Sequence, residues 1–179
     1  MFKKNHATRG FGMIELIVSM SIVTIVTGIV ITRHNAFNGA ILLRNQAYEI
    51  AFVIRQAQQL AVSGQTDPLT SQQKQRYGVH FSPATGSNQS IILYKDNSPY
   101  STNYDSRQDA VIQTVRLDSR FRINRINSAN TPGSVVFERP FFDAISAATF
   151  PLRIEIVPVA GGSVVRTIVV SASGQVMVE

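Results

Sequence analysis

Glu15 is the residue in this chain that most needs a chemical explanation. It is the only charged residue between Phe11 and Thr32. A run of that length and apolar character can cross a bilayer as a helix. A carboxylate inside such a span costs ~3 kcal/mol, so a partner has to offset it. Arg9, Gly10 and Phe11 stand just ahead of it, with Lys3 and Lys4 upstream. A second group is Arg116, Arg120 and Arg122, with Arg125 close by. In an extended strand these arginines share a face opposite Leu117, Phe121 and Ile123. A ridge of guanidinium groups suits DNA phosphates. It equally suits a solvated sheet face with Asp118 as internal partner, or a contact between subunits. Asp96, Asn97, Asp105 and Asp109 make an oxygen-rich loop of the kind that holds calcium. They lack EF-hand-like spacing, and turns use the same residues for local backbone bonding, so no metal is expected.

Catalytic groups are sparse. His6, His34 and His80 are isolated, and His80 is expected on the outward face of its strand. No nucleophile–base arrangement and no glycine-rich phosphate loop stands out. The chain is expected to be no enzyme and to need no cofactor. It has no cysteine, which excludes disulfides and thiolate metal sites.

The elements that position these residues follow from periodicity. Phe11 to about Ser63 reads as one helix. Its first half is apolar on every face. In its second half Leu43, Ala47, Ile50, Ile54, Ala57 and Ala61 repeat at steps of three and four, with Arg44, Glu49, Arg55 and Gln59 off that stripe. After a polar connection the pattern changes to period two. Strands are expected at 77–81, 90–94, 111–117, 121–126, 134–138, 152–159, 164–170 and 175–178. Turns are expected over 83–88, at Ala160-Gly161-Gly162 and at Ser173-Gly174. The fold class is therefore α+β: a long N-terminal helix whose outer half packs on a C-terminal antiparallel sheet region. The segments are 1–10, a processing leader; 11–33, the membrane half of the helix; 34–64, its amphipathic half; and 65–179, a β-rich domain. The chain carries a net charge of +6. Lys3, Lys4 and Arg9 account for three of those charges, and they place the N-terminus in the cytoplasm by the positive-inside rule.

A basic patch before an apolar run has two ordinary readings. A cleaved signal peptide is one, but the run is too long and no small-x-small site follows it. A plain signal anchor is the other, and it leaves Glu15 unexplained. Lys3-Lys4, Arg9-Gly10, Phe11, Gly12-Met13-Ile14, Glu15 and Leu16-Ile17-Val18 together resemble the prepilin leader and helix start of type IV pilins and type II secretion pseudopilins. Gly12 departs from the family's frequent threonine, and the apolar run lacks the proline common in major pilins. Further along, Tyr77-Gly78-Val79-His80-Phe81, Val136-Phe137-Glu138-Arg139-Pro140 and Ile168-Val169-Val170 with Ser173-Gly174-Gln175-Val176 resemble H-type minor pseudopilins and fimbrial T/U minor pilins. There Phe141-Phe142-Asp143 stands where a glycine is expected.

The resemblance implies cleavage between Gly10 and Phe11 by a prepilin peptidase, then N-methylation of Phe11. It implies that Glu15 pairs with the Phe11 amine of a neighbouring subunit, which in low dielectric offsets much of the cost of the charge. It also implies a pilin fold and a single-pass inner-membrane protein with its C-terminal domain in the periplasm. Assembly into a filament with other minor and major pilins or pseudopilins would follow. The role implied is a minor pilin or pseudopilin of a type II secretion pseudopilus or a type IV pilus, at or near the tip and involved in initiating assembly. The alternative is a DNA-binding minor pilin for uptake, in which the arginine ridge meets DNA.

Overall fold

A computed structural model of the protein describes residues 12–63, 75–97, 100–138, 142–161 and 164–179, without the side chains of 32–37. The leader, Gly10, Phe11, the connection 64–74 and Pro140 lie outside the described residues. Among the described residues one helix, α1 (Met13–Ser63), is followed by nine strands. These are β1 (Arg76–Phe81), β2 (Ser90–Asp96), β3 (Ala110–Arg116), β4 (Phe121–Ile126), β5 (Gly133–Glu138), β6 (Ala144–Ile145), β7 (Leu152–Pro158), β8 (Arg166–Val170) and β9 (Val176–Val178). They form two antiparallel sheets, ordered β3-β2-β1-β5-β6 and β4-β7-β8-β9. An N-terminal apolar helix followed by antiparallel sheets is the expected α+β layout, consistent with a pilin fold.

The chain divides into two units, Met1–Ala40 and Ile41–Glu179. In the second, the helical stripe is the spine of the core. Leu43, Ala47, Ile50, Ile54, Ala57 and Ala61 are all buried, and Ala51 and Val53 join them. They share one cluster with Val79, Phe81, Ile91, Leu93, Val135 and Phe137 of the five-stranded sheet and with Ile154, Ile156, Ile168 and Val170 of the four-stranded sheet. One helix face thus closes both sheets. The alanines let the backbone of α1 approach, while Leu43, Ile50 and Ile54 fill the space between strands. Arg44, Glu49, Arg55 and Gln59 are exposed, as is the apolar pair Tyr48 and Phe52. Ile54→Ala is expected to destabilise the protein by ~2–5 kcal/mol, because a fully buried β-branched side chain is replaced by a cavity under two sheets. Chemical unfolding of the full chain in detergent measures it.

Two close contacts set the register of the five-stranded sheet. Gly78 lies directly across from Tyr94, and a Cβ on Gly78 would come within 2.6 Å of the Tyr94 ring. The aromatic ring covers the bare glycine backbone. Arg76 is in register with Asp96 on one side and Glu138 on the other, at 3.6 Å and 2.9 Å from their carboxylates. The Tyr100 ring stacks on the same guanidinium. Three strands are thereby held at one level by one cation.

Candidate functional site

The first site is the start of α1. Gly12 precedes the helix, and its carbonyl accepts from the amides of Glu15 (3.0 Å) and Leu16 (3.2 Å). Glu15 therefore sits in the first turn. The unsatisfied amides of that turn give the helix a positive end, which favours a carboxylate there. Met13–Ile31 is long and apolar enough to cross a membrane by length and composition, and none of it is buried within the chain. Met13, Ile14, Leu16, Ile17 and Val18 are all exposed. Among the described residues no cation pairs with Glu15. An apolar rod exposed along its described length favours an apolar medium, and a carboxylate at its head favours a cation beside it. Three of the rod's hydroxyls are bonded within the helix itself. Ser19 donates to the Glu15 carbonyl at 2.7 Å, Ser21 to Ile17 at 2.9 Å and Thr24 to Met20 at 2.8 Å.

The second site, the arginine ridge, differs from its expected form. Its residues belong to three elements rather than one strand. Arg116 ends β3 in the five-stranded sheet, Arg120 lies in the turn before β4, and Arg122 and Arg125 lie on β4 in the other sheet. Arg120 is neutralised within that turn. Its Nε and Nη2 donate to the Asp118 carboxylate at 2.9 and 2.6 Å, and this bidentate pairing holds the Asp118 carboxyl well below its ordinary range. Arg125 reaches Glu155 at 2.7 Å. A β-bulge explains its position. Ile123 faces Ile156 and Arg125 faces Glu155, so Asn124 is the extra residue. The bulge turns Arg125 outward, and Asn124 donates to the same carboxylate at 2.6 Å. Arg116 and Arg122 are exposed and have no carboxylate partner among the described residues.

The oxygen-rich loop is occupied by its own backbone. Asp109 accepts from the amides of Asn97 and Asp105, Asp96 from Ser101, and Asp105 from Arg107. His80 also departs from expectation. It is on the sheet face away from α1, as its alternation required, but the 100–109 segment covers that face. Its Nδ1 lies 2.9 Å from the Ser134 hydroxyl, the Tyr104 ring packs against it, and burial pushes its pKa below the ordinary value. The alternation of β1 says which face His80 is on. It carries no signal about a loop that folds back over that face.

A family model described as the prokaryotic N-terminal methylation motif matches residues 5–31. The match takes in Arg9, Gly10, Phe11, Glu15 and the apolar run of α1. It is the leader and helix start of type IV pilin-like proteins, and it implies processing by a prepilin peptidase and assembly with other pilins in general. No curated protein and no solved structure matches the chain.

Proposed function

We propose that the protein is a minor pilin or pseudopilin of the H or T/U type, a structural subunit and not an enzyme. It acts in a type II secretion pseudopilus or a type IV pilus, at or near the tip, where it helps initiate assembly. In this reading residues 1–10 are removed in the inner membrane and 11–33 span it. The amphipathic half, 34–64, carries the β-rich 65–179 region in the periplasm. During assembly the apolar half of α1 exchanges lipid for the helices of neighbouring subunits, and Glu15 meets a neighbour's Phe11 amine. The observation that carries the reading is the methylation motif with a lone carboxylate in the first turn of an uncovered apolar helix.

Intact-mass measurement of the cellular protein tests it. The expected product starts at Phe11 and bears a methyl group on its amine. Gly10→Val, which crowds the scissile bond with a β-branched side chain, is expected to leave the leader attached. A wild-type protein still carrying its first ten residues, in a host with a working prepilin peptidase, would remove the basis of the assignment. The alternative of a DNA-binding minor pilin draws on Arg116 and Arg122, since Arg120 and Arg125 are engaged by Asp118 and Glu155.

A further inference from the structure

Four strands end the two sheets, and three of them have their outer edges engaged. The Ile123 amide of β4 donates to the Asn88 carbonyl at 2.8 Å, and Ile126 exchanges bonds with Ala129. The Ala144 amide of β6 donates to Ala172 at 2.9 Å. Beside β9, Arg55 and Gln58 of α1 donate to the carbonyls of Val176 and Gly174. The fourth, β3, pairs with β2 alone and has nothing on its other side among the described residues. It is also the most exposed of the nine strands, with Val111 50% and Ile112 47% accessible.

The direction of its free groups can be derived. Bonded and non-bonded pairs alternate along an antiparallel ladder. The Leu117 amide donates to Gln89 at 2.9 Å, marking one bonded pair. Val115 with Ile91 and Gln113 with Leu93 fall on the same parity. The amides and carbonyls of Thr114 and Arg116 therefore point away from β2, toward solvent. At that end of the strand lies a hollow of about 460 Å³, lined by Gln89, Ser90, Thr114, Arg116 and Ser119. Arg116 there has no carboxylate partner among the described residues, unlike Arg120 and Arg125. An unpaired backbone edge selects an extended chain. A guanidinium beside hydroxyl and amide groups selects a carboxylate.

We propose that the outer edge of β3 accepts an extended peptide segment as a sixth strand, with a carboxylate of that segment seated in the hollow against Arg116. The segment's backbone bonds to Thr114 and Arg116, and alternate β-branched side chains lie over Val111 and Thr114. This site needs neither the membrane segment nor the leader, so its failure would leave the filament reading untouched.

The test pans the full chain, held in detergent, against phage-displayed random peptides of about seven residues, the length of the strand. Enriched peptides are expected to alternate β-branched residues and to carry Asp or Glu near one end. Arg116→Glu is expected to weaken a selected peptide about tenfold or more, and to select Lys or Arg at the same place when panned itself. Thr114→Pro removes an outward amide without touching the β2 ladder, and it is expected to abolish binding. Circular dichroism checks the folding of both variants. Should Thr114→Pro misfold, the charge swap at the exposed Arg116 decides alone. The proposal is overturned by no enrichment, or by peptides that bind Arg116→Glu as well as wild type. It is equally overturned if short duplex DNA at low salt displaces the peptide, or if Gln113→Cys, in a chain with no other cysteine, cross-links two copies in place of binding peptide.

Discussion

Glu15→Leu is expected to lower the fraction of the protein found in sheared filaments about tenfold or more, while its membrane-bound pool is kept. The two effects separate because they have different causes. Insertion is limited by the cost of the carboxylate in hydrocarbon, ~3 kcal/mol, and leucine removes it. In the proposed filament, docking depends on the charge, and among the described residues no cation pairs with it. Losing a charge-assisted pair worth ~1.5–3 kcal/mol changes an equilibrium by about tenfold to a hundredfold. Glu15→Gln keeps the size and one acceptor and removes the charge. It is expected to resemble leucine in filament incorporation, which would assign the effect to charge rather than shape. Immunoblots of filament and membrane fractions give both readings, and normal incorporation of the leucine variant would end the pairing claim.

Gly174→Ala is expected to cost ~2–5 kcal/mol, measured as a loss of stability of the full chain in denaturant. Gly174 turns the chain between β8 and β9 with φ +78°, a conformation that costs an L side chain ~1–2 kcal/mol. It is also buried. A Cβ there would collide with the backbone carbonyl oxygen of Phe142 and lie 2.7 Å from the Gln58 amide nitrogen. A backbone carbonyl cannot rotate aside as a side chain can, so the clash adds ~1–3 kcal/mol of displacement. The same shift strains the 2.6 Å bond from Gln58 to the Gly174 carbonyl, which ties α1 to this turn. Gly86 provides the control. It has φ +94° but nothing within 4 Å of its would-be Cβ, so Gly86→Ala carries only the conformational cost. Equal losses in the two variants would show that the Phe142 contact is immaterial.

Much of the fold was legible because its signals are periodic. A step of three and four placed six buried residues of α1 correctly, since one helix face meets the core over five turns. Alternation located eight of the nine strands. β6 was missed because two residues cannot display a period. The division into two sheets was missed for a different reason. Leu117, Phe121 and Ile123 are all buried on one side, as alternation required, yet the chain changes sheets between them. Strand parity describes one chain and says nothing about which neighbour it bonds. The same gap dispersed the arginines over three elements and hid the bulge at Asn124, which becomes visible only against Glu155. At the leader the signal is of another kind. The motif over residues 5–31 was legible as a resemblance in sequence, independent of any packed interior.

The three back-bonded hydroxyls of the apolar run carry a last consequence. Ser19, Ser21 and Thr24 each spend their proton on a carbonyl one turn behind. Each of these protons is therefore already used within the helix. These three bonds need not break when such a rod exchanges one apolar surrounding for another. The charged group of that rod is the Glu15 carboxylate, and its desolvation cost is lowest where an opposite charge lies near.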